Sequence, residues 1–255
     1  QGIAFSPDGL KAYVTNVDDN TVSVVNTTTR LEEAVIEVGG SPQFVAVTPD
    51  GLFAYVTNND DDTVTVIDLS ANLPLGEPIP VGEGPMGVAV SPDGTRAYVA
   101  NFGASDTDDS DENGDTLSII DTATNTVRDM NEEEEGVQPL QVGVMPFAIA
   151  FVPDTALAIV KDEGPEAFVS NFLEASVSVI KDDALDLDAG PQGSFGVLYN
   201  PRFNAVDNEP AGIAITPNGL RGYVALFGSR SDEGEVVQVF STLTRGVVGS
   251  IEIGE

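Results

Sequence analysis

The sequence contains no cysteine, no histidine and no tryptophan, and only 10 of its 255 residues are lysine or arginine. Without cysteine there are no disulfides, thiolate metal sites or cysteine nucleophiles, although the redox compartment stays open. Without histidine there is no Ser-His-Asp triad, no histidine-ligated zinc or copper, and no imidazole acid–base catalysis. No apolar run approaches the roughly 18 residues that a membrane helix requires, and residues 1 to 5 carry no signal-peptide pattern. The few basic residues stand against 42 acidic ones, for a net charge of −32 that repels nucleic acid and anionic lipid head groups. Neither nucleic acid nor direct membrane insertion is expected. Two environments suit such an acidic excess: high salt, as in a halophilic setting, which screens the self-repulsion, or a divalent-cation-rich exterior in which carboxylates hold metal.

What is present suffices for a core, since 41% of the residues are apolar. The main signal is repetition. Ser6-Pro7-Asp8-Gly9, Thr48-Pro49-Asp50-Gly51, Ser91-Pro92-Asp93-Gly94, Val152-Pro153-Asp154 and Thr216-Pro217-Asn218-Gly219 are five copies of one turn, their prolines 42, 43, 61 and 64 residues apart. A basic period near 42, stretched twice by insertions, suits a four-stranded β-propeller blade.

Before each turn runs a short apolar strand whose third residue is always alanine: Ala4, Ala46, Ala89, Ala150 and Ala214. A small side chain there is expected where blades approach closely near a propeller axis. After each turn a second strand carries an aromatic at one fixed position, Tyr13, Tyr55, Tyr98, Phe168 or Tyr223, which reads as core. A third strand of β-branched alternation follows, as in Thr63-Val64-Thr65-Val66-Ile67-Asp68, and then a fourth, as in Val35-Ile36-Glu37-Val38-Gly39. In the fourth copy this last strand is hidden somewhere between Gly190 and Glu209. The repeated Asp8, Asp50, Asp93 and Asp154 read as turn caps, and the run Glu132 to Glu135 as a solvated loop.

Tyr13-Val14-Thr15-Asn16 and Tyr55-Val56-Thr57-Asn58, with the flanking Pro-Asp-Gly and Thr-Val-x-Val-Ile-Asp elements, resemble the YVTN-repeat β-propellers over nearly the whole chain. That family includes archaeal surface-layer proteins and many exported bacterial proteins, often seven-bladed. The resemblance therefore implies a cell-surface or extracellular setting and no particular reaction. Related propellers include sugar lactonases and the large subunits of quinoprotein dehydrogenases, so fold alone does not decide function.

The expected architecture is all-β: a single β-propeller domain over 1–255, with four-stranded antiparallel blades at about 1–42, 43–85, 86–146, 147–210 and 211–255. Five blades either close by themselves or belong to a longer, seven-bladed polypeptide of which this chain is a fragment. A four-stranded meander places its second-to-third loops and its blade-to-blade linkers at one end. Asp18, Asp19, Asp60, Asp61 and Asp62 should therefore share a negative face, while insertions at 154 to 167 and 182 to 210 project from the other end as contact regions.

One loop departs from the repeat. Residues 106 to 115 insert Asp109-Ser110-Asp111-Glu112-Asn113-Gly114-Asp115, oxygen ligands at alternate positions with a glycine for the bend, as calcium loops require. The Asp109, Asp111 and Asn113 side chains and the Asp115 carbonyl are the candidate Ca2+ ligands; a hydrated acidic loop is the other reading. The expected function is a noncatalytic structural or protein-interaction module with a protein or cell-surface assembly partner. Its rival is a hydrolase or lactonase-like enzyme using carboxylates and a divalent cation. No catalytic residue and no other cofactor stand out.

Overall fold

Side chains close the hairpin that opens each repeat. Ser6 Oγ donates to Asp8 Oδ1 at 2.6 Å, the Leu10 N–H donates to the same oxygen at 3.0 Å, and Gly9 takes φ 72°, where a side chain would be strained. The same hydroxyl bond recurs from Thr48 to Asp50 and from Ser91 to Asp93, both at 2.6 Å, and from Thr216 to Asn218 at 2.7 Å. These donors hold the Asp8 and Asp50 carboxyls below the usual carboxylate range. At Asp93 burial pushes upward, but the hydroxyl and backbone donors outweigh it. Asp8, Asp50 and Asp93 are turn caps, as the sequence suggests.

The computed structural model describes residues 2–103, 115–128, 139–153, 166–181, 194–196, 208–228 and 235–253. The chain divides into two compact units, Gln1–Pro139 and Leu140–Glu255. The first unit holds three antiparallel sheets. Sheet 1 is β1 (Ile3–Phe5), β2 (Lys11–Asn16), β3 (Thr21–Asn26) and β4 (Leu31–Glu37). Sheet 2 is β5 (Pro42–Val47), β6 (Phe53–Asn58), β7 (Thr63–Asp68) and an outer strand in two pieces, β8 (Leu73–Pro74) and β9 (Ile79–Pro80), both paired with β7. Sheet 3 is β10 (Pro85–Val90), β11 (Arg96–Asn101), β12 (Thr116–Asp121) and β13 (Thr126–Val127).

The second unit opens with the short strand β14 (Leu140–Gln141) and holds two sheets. Sheet 4 is β15 (Pro146–Phe151), β16 (Glu166–Asn171), β17 (Ser176–Lys181) and β18 (Ser194–Gly196), the last being the strand hidden in the sequence. Sheet 5 is β19 (Asn208–Ile215), β20 (Arg221–Gly228), β21 (Glu235–Ser241) and β22 (Gly246–Ile253). Among the described residues the helical structure amounts to a 3-10 turn at Asn59–Asp61.

Each repeat alanine is the direct cross-strand partner of its aromatic: Ala4 of Tyr13, Ala46 of Tyr55, Ala89 of Tyr98, Ala150 of Phe168 and Ala214 of Tyr223. A methyl opposite the ring leaves room for it, a nearer cause than the close approach of blades alone. Tyr13, Tyr55, Tyr98 and Phe168 are buried and Tyr223 is half-buried. Burial pushes the Tyr55 and Tyr98 phenols up to about 12, and Tyr55 satisfies its hydroxyl by donating to Asn125 Oδ1 at 2.7 Å.

The sheets stack face to face with one polarity. The Tyr13, Val22, Val24 and Ile36 face of sheet 1 packs on Val45, Val56 and Ile67 of sheet 2. In turn the Tyr55, Val64 and Val66 face of sheet 2 packs on Val99 and Ile120 of sheet 3. In the second unit Phe168, Val177 and Val179 of sheet 4 meet Val224, Val236 and Phe240 of sheet 5. An aromatic face laid on the next sheet's β-branched face is the packing expected of successive blades.

Candidate functional site

Two polar residues at the end of the second strand, both present in sheets 1, 2 and 4, organise the end of the sheet where linkers and loops meet. The first is a buried hydroxyl. Thr15, Thr57 and Ser170 accept from a first-strand N–H of their own sheet, Gly2 at 2.7 Å, Phe44 at 3.0 Å and Ala148 at 3.1 Å. Each also donates to a first-strand carbonyl of the next sheet, Gln43 at 2.9 Å, Met86 at 2.7 Å and Ala211 at 2.6 Å. β5 and β15 slip register at this point, so a side-chain oxygen replaces the interrupted ladder. Ala100 and Ala225 occupy the same place in sheets 3 and 5 without a hydroxyl.

The second residue is an asparagine clamp. Asn58 Nδ2 donates to Thr63 Oγ1 at 3.0 Å and Thr65 Oγ1 at 2.9 Å, and Asn101 to Thr116 Oγ1 at 2.9 Å and Ser118 Oγ at 3.0 Å. Asn16 holds Thr21 and Ser23 in the same way, and Asn171 holds Ser176 and Ser178. Directly against the carboxamides of Asn58, Asn101 and Asn171 lie the linker glycines Gly39, Gly82 and Gly143, where a methyl group would collide with the amide. The sequence signal was available but indirect: a hydroxyl residue recurs five and seven places after Asn16, Asn58 and Asn171, and the insertion moves the pair to fifteen and seventeen places after Asn101.

Loops and linkers are bonded together at this end, as the meander topology requires. Asp61 accepts the Gly40 N–H at 2.6 Å, Asp62 accepts the Gly84 N–H at 2.9 Å, and the Ser41 N–H donates to Asn20 Oδ1 at 2.9 Å. Asp61 and Asp62 are therefore linker caps as well as charges. Asp18, Asp19 and Asp60 on the same end are exposed. Among the described residues no group of three or more acidic side chains is arranged to hold a metal ion.

A cleft of about 820 Å³ runs along the outer edge of the first unit, between β9 and β13. Ile79, Val81 and Val127 give it apolar walls, and Asp62, Glu77 and Glu83 are its carboxylates. Its one serine, Ser118, receives the Asn101 amide and the Gly82 N–H, the latter at 3.2 Å. Two donors aimed at the hydroxyl oxygen are the reverse of what a general base does for a nucleophile.

The calcium residues proposed from sequence, Asp109, Asp111 and Asn113, lie outside the described residues. Asp115 is described: it is half-buried at a bend immediately before β12. Asp154, residues 132 to 135, and most of the stretches 154–167 and 182–210 also lie outside the described residues. No helix among the described residues is long and apolar enough to cross a membrane.

No protein-family model matches the chain, and no curated protein matches it either. Solved structures do. Hydrazine synthase of Kuenenia stuttgartiensis is similar with a TM-score of 0.70 at 23% identity, over 94% of this chain and 62% of that one. A functionally unknown protein from Desulfotomaculum acetoxidans is similar with a TM-score of 0.67 at 17% identity, over 98% of this chain and 70% of that one. U3-55K is similar with a TM-score of 0.68 at 11% identity, over 98% and 63%. This chain thus spans under two thirds of the hydrazine synthase and U3-55K chains. At these identities the likeness carries the fold: an all-β protein of four-stranded propeller blades.

Proposed function

We propose that the chain is a noncatalytic interaction module working at the cell surface or outside the cell, in the manner of the YVTN-repeat propellers, with its acidic linker end turned to basic surfaces of a protein partner. The observation that carries this reading is the linker end of the first unit. There Asp61 and Asp62 pin the linkers to the loops, and Asp18, Asp19 and Asp60 project from that rigid base. A net charge of −32 adds long-range attraction for cationic partners and repulsion of nucleic acid. The cleft supplies a second contact, in which apolar walls and Glu77 and Glu83 suit a basic, partly apolar peptide. Calcium held by Asp109, Asp111, Asn113 and Asp115 belongs to the same reading.

Binding of an immobilised oligolysine peptide tests the acidic end. The triple variant Asp18→Asn/Asp19→Asn/Asp60→Asn is compared with Glu252→Gln, which removes charge from an exposed position on β22. Binding should fall about tenfold in the triple variant and little in the control, and it should weaken steeply with salt. Equal losses per charge removed at both places would reduce the effect to net charge and overturn the assignment of this end.

A further inference from the structure

At the outer margin of the contact between sheets 2 and 3, Ile79, Val81 and Val127 close the apolar cluster that Tyr55, Val64 and Val66 make with Val99 and Ile120. The outer strands that would cover this cluster are short. β9 and β13 have two residues each, whereas β4 has seven and β22 eight. The margin left open is the cleft of about 820 Å³, a size that suits a small molecule or a short peptide.

Its polar chemistry has one sign. Along the β9 wall Glu77 comes two residues before Ile79 and Glu83 two after Val81, so carboxylates bracket the branched side chains, and Asp62 adds a third. No lysine or arginine is among the described residues that line the cleft. The Val81 N–H turns inward to the Asp62 carbonyl at 2.9 Å, so by the alternation of a strand Pro78 and Pro80 turn outward, without an N–H to offer. Strand addition along β9 is thereby disfavoured, and recognition falls to side chains. Ser118, 2% exposed, already accepts from the Asn101 amide and the Gly82 N–H, so what it has left for a ligand is its proton. That proton suits a main-chain carbonyl, and the carboxylates suit cations on either side of it.

We infer that the cleft binds an extended peptide segment of a partner protein in which two basic residues bracket branched apolar ones. The basic side chains meet Glu77 and Glu83, the apolar ones meet Ile79, Val81 and Val127, and a main-chain carbonyl takes the Ser118 proton. The inference rests on the interaction reading above and gives it a ligand at its second contact. Charge complementarity selects the occupant: a second copy of this chain, at −32, brings the wrong sign. In an extended segment alternate side chains share a face about 6.6 Å apart. The peptide Lys-Ser-Leu-Ser-Val-Ser-Lys therefore turns two cations and two branched residues to one wall.

Fluorescence anisotropy of that heptapeptide, dye-labelled, with the intact chain at low salt is the test. Glu77→Gln/Glu83→Gln should weaken binding about tenfold. Glu37→Gln/Glu252→Gln removes the same charge from exposed positions on β4 and β22 and should weaken it by about twofold at most. Lys-Ser-Ser-Ser-Ser-Ser-Lys, which leaves the apolar walls unmatched, should bind about tenfold less tightly than the first peptide. Val127→Lys, with an unchanged circular dichroism spectrum, should abolish binding. Equal losses in the two double variants, equal binding of the two peptides, binding retained by Val127→Lys, or no saturation at millimolar peptide would each overturn the inference. The oligolysine assay reads the linker end separately. Oligolysine bound there while the heptapeptide fails removes the cleft alone, and failure of both removes the interaction reading itself.

Discussion

Gly222 lies directly across from Phe240, and a Cβ at Gly222 would collide with the tip of the Phe240 ring. The other sheets place alanine opposite an aliphatic residue here: Ala12 with Val25, Ala54 with Ile67, Ala97 with Ile120, Ala167 with Ile180. Sheet 5 has traded volume across the pair, and Phe240 uses it to reach Phe168 with ring centroids 5.3 Å apart. Gly222→Ala should therefore destabilise by about 1–3 kcal/mol through overpacking, although alanine is the residue found at this place elsewhere. Adding Phe240→Ile should recover part of the loss. Urea melts of the two single variants and the double variant measure the coupling, and additive losses would contradict it.

Thr57 is a second point of leverage because one hydroxyl serves two sheets. Thr57→Val keeps the shape and removes the oxygen that joins the Phe44 N–H to the Met86 carbonyl. The expected cost is about 1–3 kcal/mol, the range for losing buried hydrogen-bond partners. Thr57→Ser should cost much less, and similar losses for the two variants would mean that packing of the methyl group, not the hydroxyl, is what counts.

Alkaline pH should unfold the first unit in a defined window. Burial raises the Tyr55 and Tyr98 phenols to about 12, above the unfolded value of 10.0. A raised folded pKa means that the stabilisation is complete below the unfolded pKa and is lost as pH climbs through the folded one. Stability should thus decline from about pH 10 towards about pH 12. Tyrosinate absorbance rising together with loss of the β-sheet circular dichroism signal would bear this out. Smooth ionisation near 10 with the fold intact would contradict it.

Salt should stabilise the chain. With 42 acidic and 10 basic residues, like charges dominate, and at about 1 M salt the Debye length shrinks to around 3 Å. Tm should rise steadily from low to molar sodium chloride, whereas a flat or falling Tm would contradict the screening argument.

Calcium is expected at the third-repeat insertion, with modest affinity of about 10⁻⁴ to 10⁻³ M. Calorimetric titration should show heat for the native chain and none for Asp109→Ala/Asp111→Ala. Equal binding by both chains, or none by either at millimolar calcium, would leave the segment as a solvated acidic loop.

The Pro-Asp-Gly turns and the aromatic second strands were legible in the sequence because turn chemistry and strand alternation are local. The clamp by Asn58 and the hydroxyl bridge of Thr57 were not. Both look like ordinary strand residues until Thr63, Thr65 and Met86, on other strands, are brought beside them. Sheet 5 makes the same point by exception: Leu226 replaces the asparagine, and Val236, its cross-strand partner, replaces the hydroxyl residue. Either substitution alone would read as noise, and together they are an apolar version of one joint. The acidic end was legible from topology, but the role of Asp61 and Asp62 as linker caps depends on hydrogen bonds across more than twenty residues, which spacing does not reveal.

The outer strand of sheet 2 is broken between β8 and β9, and the interruption at Leu75 to Pro78 leaves the register of β5, β6 and β7 intact. Chain length in this fold can therefore vary at the rim without disturbing the hub. A foreign peptide grafted between Gly76 and Glu77, beside a position already at φ 73°, would be displayed on the periphery by a scaffold that has made room for it once.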